Sequence, residues 1–501
     1  MSFMDELKKT LDDKYNYSMT ENGAFGYRTT THPLLDLNFA ISSLRSASEE
    51  KITQMFRSAF VTDPRSAIKW LFYVRDVRGG LGERRLFRTV INDMARLYPD
   101  LVKKVLHLIP VYGRYDDLWD LLDTNLRSDV LAMIANVLKF DEAQMEVGRP
   151  VTLLAKWLPS TNAGTRARDL AITISSELRI TENQYRRKLS RLRKYIGIVE
   201  SKMCAGEWDR IDYSRVPSRA ALIYKGAFSK HDAERYAEYL EAVTKGEAKI
   251  NAGALVPHDI VAKYVSSDHV SGAKDTTLEE LWKALPNVDL SGKRMLVVRD
   301  GSWSMTSSAG NTKVSCLTIA TALTVYFAER TEGEFKDKFI TFSSRPDLID
   351  LSKQSNLHDK LVKCYSHTDC SNTNIQAVFE LILRTAKAAG MNQNDLPENI
   401  LIFSDMEFDG NRFSWSERLF TTISKQYEEA GYKLPRLIFW NLNSRTETIP
   451  MIKNEMGLVL TSGFSQNSAK MIMSGELDPM KALLDVINSE RYAEVDKALD
   501  N

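Results

Sequence analysis

The stretch Arg294-Met295-Leu296-Val297-Val298-Arg299-Asp300-Gly301-Ser302-Trp303-Ser304-Met305 decides how the chain is read. Its apolar run is rich in branched residues, the mark of a buried strand. The run ends on Asp300, and Ser302 and Ser304 follow at alternate positions. A carboxylate and two hydroxyls leaving the carboxyl end of a strand are hard oxygen ligands of the kind Mg²⁺ prefers. An open α/β sheet also gathers its ligands at that end. The plain alternative for a short Asp/Ser string is a turn or a helix cap.

The spacing Asp-x-Ser-x-Ser resembles the metal-ion-dependent adhesion site of von Willebrand factor A (vWA) domains. In those domains a Thr from a second loop and an Asp from a third complete the ligand set. Here Asp369-Cys370-Ser371-Asn372-Thr373-Asn374 precedes a helical run that starts at Ile375. Glu398-Asn399-Ile400-Leu401-Ile402-Phe403-Ser404-Asp405 is another apolar strand that ends on Asp. By this resemblance Asp300, Ser302, Ser304, Thr373 and Asp405 are the expected ligands of Mg²⁺ or another divalent cation, some of them through water. Where the family pattern has Gly, this chain has Trp303, expected to fill a neighbouring cleft or to anchor a partner. Arg299 stands where an uncharged residue is usual, and it is expected to bring positive charge close to the site.

Around this stretch, strand and helix signals alternate. Strands are expected at 295–299, 339–342, 348–351, 400–403, 437–440 and 458–460, and helices at 314–330, 375–388, 416–430 and 479–499. Alternation at these lengths implies a mostly parallel sheet covered on both faces. The segments at 339 and 348 are too close for a helical crossover, so they should form a hairpin with one antiparallel edge strand. Upstream the texture is different. From Leu34 to about residue 265 helix follows helix with short connections and no strict repeat. The chain thus divides into a polar lead-in (1–31), an irregular all-helical domain (32–277, with a polar linker at its end) and a vWA-like, Rossmann-like α/β domain (278–501). The fold class is α followed by α/β.

Composition sets further bounds. With 43% hydrophobic and 27% charged residues the 501-residue chain has the balance of a soluble globular protein. No run of eighteen apolar residues predicts a membrane span. Met1-Ser2-Phe3-Met4-Asp5-Glu6-Leu7 lacks the layout of a secretory signal, so a cytoplasmic location is expected. Four cysteines do not make a disulfide framework. Cys364, His367 and Cys370 supply only three soft ligands, too few for a structural zinc site, and read as incidental loop residues.

Net charge is only +1 over the whole chain, but it is unevenly spread. Residues 151–230 hold 16 Lys and Arg against 7 Asp and Glu. The densest part is Tyr185-Arg186-Arg187-Lys188-Leu189-Ser190-Arg191-Leu192-Arg193-Lys194-Tyr195. Such a block is the footprint of a phosphate-backbone contact, and its bland alternative is a solvated helix face.

Arg75-Asp76-Val77-Arg78-Gly79-Gly80-Leu81-Gly82-Glu83-Arg84, set in helices ahead of a vWA-like domain, resembles the TROVE module of Ro autoantigen-type RNA-binding proteins. Tyr112-Gly113-Arg114-Tyr115-Asp116-Asp117-Leu118, Tyr326-Phe327-Ala328-Glu329-Arg330 and Phe403-Ser404-Asp405-Met406-Glu407-Phe408-Asp409 are more similar to an uncharacterised TROVE-like family met in bacteriophages among other genomes. The resemblance implies HEAT-like helices that bind structured or non-coding RNA as a ribonucleoprotein scaffold. Arg75, Arg78, Arg84, Arg85, Arg186, Arg187, Lys188, Arg191, Arg193 and Lys194 are the candidate contacts, with phosphate as their target. The alternative is a protein-interaction adaptor, in which a partner donates a carboxylate to the metal and Trp303 belongs to the contact. An enzyme is not expected. Gly301-Ser302-Trp303-Ser304-Met305 lacks the second Gly of a nucleophile elbow, and one Asp/Ser/Thr site lacks the clustered carboxylates of two-metal catalysis.

Overall fold

The computed structural model describes residues 3–290, 292–342, 345–368, 371–410 and 417–500. Its chain forms two compact units, one of residues 1–67 and 255–489, the other of residues 68–254 and 490–501. These units cut the chain differently from a linear division at residues 31 and 277. The lead-in and the helices Pro33–Phe39 and Glu49–Thr62 lie in the first unit with the sheet, and the last residues lie in the second.

The first unit is built on a six-stranded sheet. Its strands are β1 (Met295–Asp300), β2 (Lys338–Phe342), β3 (Asp347–Asp350), β4 (Asn399–Ser404), β5 (Arg436–Asn441) and β6 (Leu458–Ser462). They are ordered β6-β5-β4-β1-β2-β3, all parallel except β3, which pairs antiparallel with β2 as the short spacing requires. Every residue of β1, β4, β5 and β6 is buried, which is why these strands read as unbroken apolar runs rather than alternating ones. Helix Cys316–Ala328 is buried along its whole length against β1, β2 and β4 and carries no charged residue, as suits a helix without a wet face. Strand β1 has β2 on one side and β4 on the other, so successive connections leave it in opposite directions. The crevice at the carboxyl ends of β1 and β4 is the point where such sheets hold ligands.

The polar stretch expected as a linker forms a small hairpin, Val265–Ser266 with His269–Val270, before helix Thr276–Lys283 begins. The lead-in likewise has structure. Ser18–Met19 pairs antiparallel with Phe25–Gly26, and Tyr27 pairs with Ile449 beyond β5.

The second unit is helical. Its longer members are Arg84–Leu97, Arg127–Glu146, Thr165–Glu177, Glu182–Ile196, Ser218–His231 and Ala233–Thr244. Helix Glu182–Ile196 shows how local sequence sets its limits. Thr181 caps it by accepting from the Gln184 N–H at 3.2 Å, and the Gln184 side chain accepts from the Thr181 N–H at 2.8 Å. Gly197 ends it at φ 71°, a left-handed turn that glycine adopts without Cβ strain. Tyr185, Leu189 and Leu192 recur at helical spacing and are its buried residues. The single helix expected at 479–499 is broken: Pro479–Ile487 belongs to the first unit and Ala493–Asp500 to the second. Among the described residues no helix is long and apolar enough to cross a membrane.

Candidate functional site

Two ends of parallel strands bring together the oxygen groups expected as ligands. Asp300 closes β1 and Ser404 closes β4, and Ser404 Oγ donates to Asp300 Oδ2 at 2.6 Å. The Ser302 N–H donates to Asp300 Oδ1 at 2.9 Å, and Ser302 Oγ lies 3.1 Å from Ser304 Oγ. The Ser304 side chain in turn hydrogen-bonds Asp405. Direct contacts thus link Asp300, Ser302, Ser304 and Asp405. Thr373 joins by a different route, through Asn22, whose Nδ2 donates to Thr373 Oγ1 at 2.8 Å and to the Glu407 carbonyl at 2.7 Å. The Thr373 and Asp405 loops are also stitched together, since Asp409 N–H donates to the Thr373 carbonyl at 3.1 Å and Thr373 N–H to Asp409 Oδ1 at 3.2 Å. Met406 between the acidic residues sits at φ 64°, a conformation uncommon outside glycine and one that clusters at functional sites.

Asp300 and Asp405 are both fully buried. Burial pushes Asp300 up to about 7, and the Asp405 carboxylate adds to the rise. Asp405 is also raised by burial, against the pull of Arg445. Arg445 Nη1 donates to Asp405 Oδ2 at 2.9 Å, and its Nε donates to Glu21 Oε2 at 2.7 Å. Glu407, next along, is saturated: it accepts from Ser444 Oγ and from the N–H groups of Arg445, Thr446 and Glu21. Trp303, 69% exposed, stands out from the site into solvent and fills no cleft.

Arg299 corrects an expectation. Its guanidinium turns from the donors to Thr321 Oγ1 at 3.1 Å and Thr368 Oγ1 at 3.0 Å, and lies over the Phe339 ring. Strand alternation explains this, because adjacent residues of β1 point to opposite faces. Among the described residues the cation beside the donors is Arg445, which has no strand or motif signal in the sequence. Of the three soft ligands considered for zinc, Cys364 is buried in helix Leu357–Ser366, and Cys370 lies outside the described residues.

The ten candidate nucleic-acid contacts divide sharply. Arg186, Arg187, Arg191 and Lys194 are exposed on helix Glu182–Ile196. Lys188 is paired with Glu142 at 2.5 Å. Arg193 is a structural residue: Nε donates to the Ala155 carbonyl at 2.8 Å, Nη2 to the Leu158 carbonyl at 2.6 Å and Nη1 to Ser160 Oγ at 2.7 Å. Burial lowers its pKa accordingly. Beside this helix opens a cleft of about 670 Å³, lined among others by Arg186, Arg193, Lys194, Lys202 and Arg210.

Residues 20–113 and 151–293 match the model of a family described as "Domain of unknown function (DUF2828)", and residues 294–498 match "Domain of unknown function (DUF7788)". Over 514 aligned residues the chain is 30% identical to "Uncharacterized protein L728" of Acanthamoeba polyphaga mimivirus, covering 94% of this chain and 87% of the viral protein. The chain belongs to the same family as that viral protein. Among solved structures it is similar to the RO (RSR) protein of Deinococcus radiodurans, with 14% identity, 89% of this chain and 92% of that one covered, and a TM-score of 0.43.

Around the glycines, Arg75, Arg84 and Arg88 are engaged by carboxylates of the same unit. Arg75 is buried and paired with Asp117 at 2.7 Å. Arg84 pairs with Asp116, and Arg88 Nε with Asp117 Oδ1 at 2.8 Å. Arg78 is exposed, with Nη1 3.5 Å from the Val111 carbonyl, and Arg85 is half-buried. Asp76 accepts from Arg491 Nη2 at 2.7 Å and from Tyr492 Oη at 3.1 Å, so it ties the last residues into the helical unit. The glycines are there for space rather than for a left-handed turn. A Cβ on Gly80 would lie 1.9 Å from the Tyr73 carbonyl oxygen, and one on Gly79 would lie 2.2 Å from Arg491 Nε. Gly82, at φ 72°, makes the left-handed turn.

Proposed function

We propose that the protein is an RNA-binding scaffold whose helical unit holds structured or non-coding RNA through phosphate contacts on helix Glu182–Ile196. The observation that carries the reading is the exposed face of Arg186, Arg187, Arg191 and Lys194 beside the basic cleft. Flexible cations with water-facing heads can meet a phosphate backbone without first breaking an internal ion pair, and such contacts confer affinity with little sequence preference. The Ro-type resemblance of the helical motifs supports the same class of partner.

In the sheet unit we read the donor set as a divalent-cation site. Two carboxylates and three hydroxyls are hard oxygen donors suited to Mg²⁺, and two buried carboxylates that repel each other gain by taking up a cation. Asp300, Ser302, Ser304, Thr373 and Asp405 would hold the ion, some through water. A bound ion would supply a Lewis-acidic position for a carboxylate from a protein partner. The exposed Trp303 ring favours this as a second function, or, in the adaptor reading, as the main one. No catalytic residue is assigned.

The test is to purify the full chain from its host, with and without RNase, and to sequence what accompanies it. The scaffold reading expects a restricted set of structured RNAs that disappears on RNase treatment. Protein partners retained without any RNA would favour the adaptor.

A further inference from the structure

Among the proposed donors, Asp405 has a guanidinium already in place. Arg445 follows β5, and its backbone is pinned because its own N–H donates to Glu407 Oε1 at 2.7 Å while Ser444 and Thr446 bind the same carboxylate. The side chain bridges two acids of unlike setting. Nη1 is 2.9 Å from the fully buried Asp405, and Nε is 2.7 Å from Glu21, which is half exposed. The Arg445 side chain is 32% exposed, so it has a path to water that Asp405 lacks. Glu21 comes from the short hairpin that also supplies Asn22 to Thr373. Two of the five donors are therefore engaged from outside the donor loops: Asp405 by Arg445 and Thr373 by Asn22.

We propose that Arg445 is the resident counter-cation of Asp405 and sets the affinity and occupancy of the cation site by competing with the divalent ion for that carboxylate. This rests on the cation reading of the donor set. When the ion enters, Arg445 must share or leave Asp405, and Glu21 keeps one ion pair with the displaced guanidinium. Arg445 is thus an affinity-determining residue, acting through a ligand rather than as one. Its effect is electrostatic and local: an opposite unit charge within hydrogen-bond distance typically moves a carboxylate's affinity for a proton by about 1–3 pKa units, and a competing metal ion faces a comparable handicap of about tenfold or more.

The experiment is calorimetric titration of the full chain with Mg²⁺, and Mn²⁺ titration followed by paramagnetic resonance, for the parent, Arg445→Gln, Arg445→Lys, Asp300→Ala and the Arg445→Gln, Asp300→Ala double variant, with circular dichroism to verify folding. Arg445→Gln should bind about tenfold more tightly than the parent, Arg445→Lys should stay close to the parent because the charge remains, and Arg445→Gln combined with Asp300→Ala should lose the ion. Equal or weaker binding by folded Arg445→Gln, beside measurable binding by the parent, overturns this inference alone. So does tightening that survives Asp300→Ala, since the ion then sits elsewhere. An absence of Mg²⁺ and Mn²⁺ binding in the parent and both Arg445 variants overturns the cation reading together with the inference. Should Arg445→Gln misfold, Arg445→Lys decides: loss of binding there would also overturn it.

Discussion

Two arginine-rich segments of the helical unit look alike in sequence and differ completely in structure. In the segment around Gly79 and Gly80, Arg75 is buried against Asp117, and Arg84 and Arg88 pair with Asp116 and Asp117. In helix Glu182–Ile196 the buried residues are Tyr185, Leu189 and Leu192, and most of the cations face water. The carboxylate partners of Arg75, Arg84 and Arg88, together with the burial of Arg75, are what separate the two. A charge taken out of water must be paired, and once paired it is costly to unpair. A charge left in water holds its place loosely and is available to a polyanion. A count of Lys and Arg cannot distinguish these cases. The location of the partner carboxylates can, and Asp117 lies far from Arg75 in sequence.

If the first segment is purely structural, breaking it should cost stability before it costs anything else. The largest effect is expected from Gly80→Val. The side chain would collide with the backbone oxygen of Tyr73, which cannot swing away, so a loss of about 3 kcal/mol or more is expected. Gly79→Ala should be milder, because its obstacle is the flexible end of the Arg491 side chain. Urea unfolding of the two variants checks the order. A folded, stable Gly80→Val protein that has lost only RNA binding would move this segment from architecture to function.

A somewhat smaller effect is expected at Asp76. Burial pushes its carboxyl up, but hydrogen bonds from Arg491 and from the backbone N–H groups of Arg78 and Gly79 outweigh this and hold it below the usual carboxylate range. A folded-state pKa below the unfolded one means that the stabilisation is complete above the unfolded value, near 3.9, and drains away as pH falls through the lower folded value. Asp76→Asn should therefore cost about 1.5–3 kcal/mol at neutral pH, the range for losing hydrogen bonds to a charged group, because Arg491 is partly exposed and can turn to water. It should also flatten the acid limb of the stability profile. Denaturant unfolding across pH 2–7 measures both, and an unchanged acid limb would show that Asp76 carries no such linkage.

The sequence made the sheet largely legible, because its central strands are buried on both faces and appear as plain apolar runs. The close spacing of β2 and β3 also revealed the antiparallel edge. The donors at the ends of β1 and β4 were legible for the same reason: a polar residue closing such a run marks the strand's end. Other features left no local signal. Glu21 and Asn22 sit in a short irregular hairpin, where polar residues are ordinary, and their partners lie hundreds of positions away. Arg445 follows β5 with nothing in its neighbourhood to mark it. The break between Ile487 and Ala493 was hidden because apolar spacing continues across it, with Tyr492, Val495 and Ala498 buried in their turn.

The most direct test of the contrast between the two arginine segments is a salt series of RNA binding. The full chain and a variant carrying Arg186→Glu, Arg187→Glu, Arg191→Glu and Lys194→Glu should be titrated with one structured RNA and one unrelated RNA. Each phosphate contact contributes about 0.9 to the slope of log affinity against log salt for duplexes. The variant, folded as judged by its melting curve, is expected to bind both RNAs more weakly and with a markedly shallower slope. Binding by the folded variant that matches the parent in affinity and slope would show helix Glu182–Ile196 to be only a solvated face, and would contradict the account.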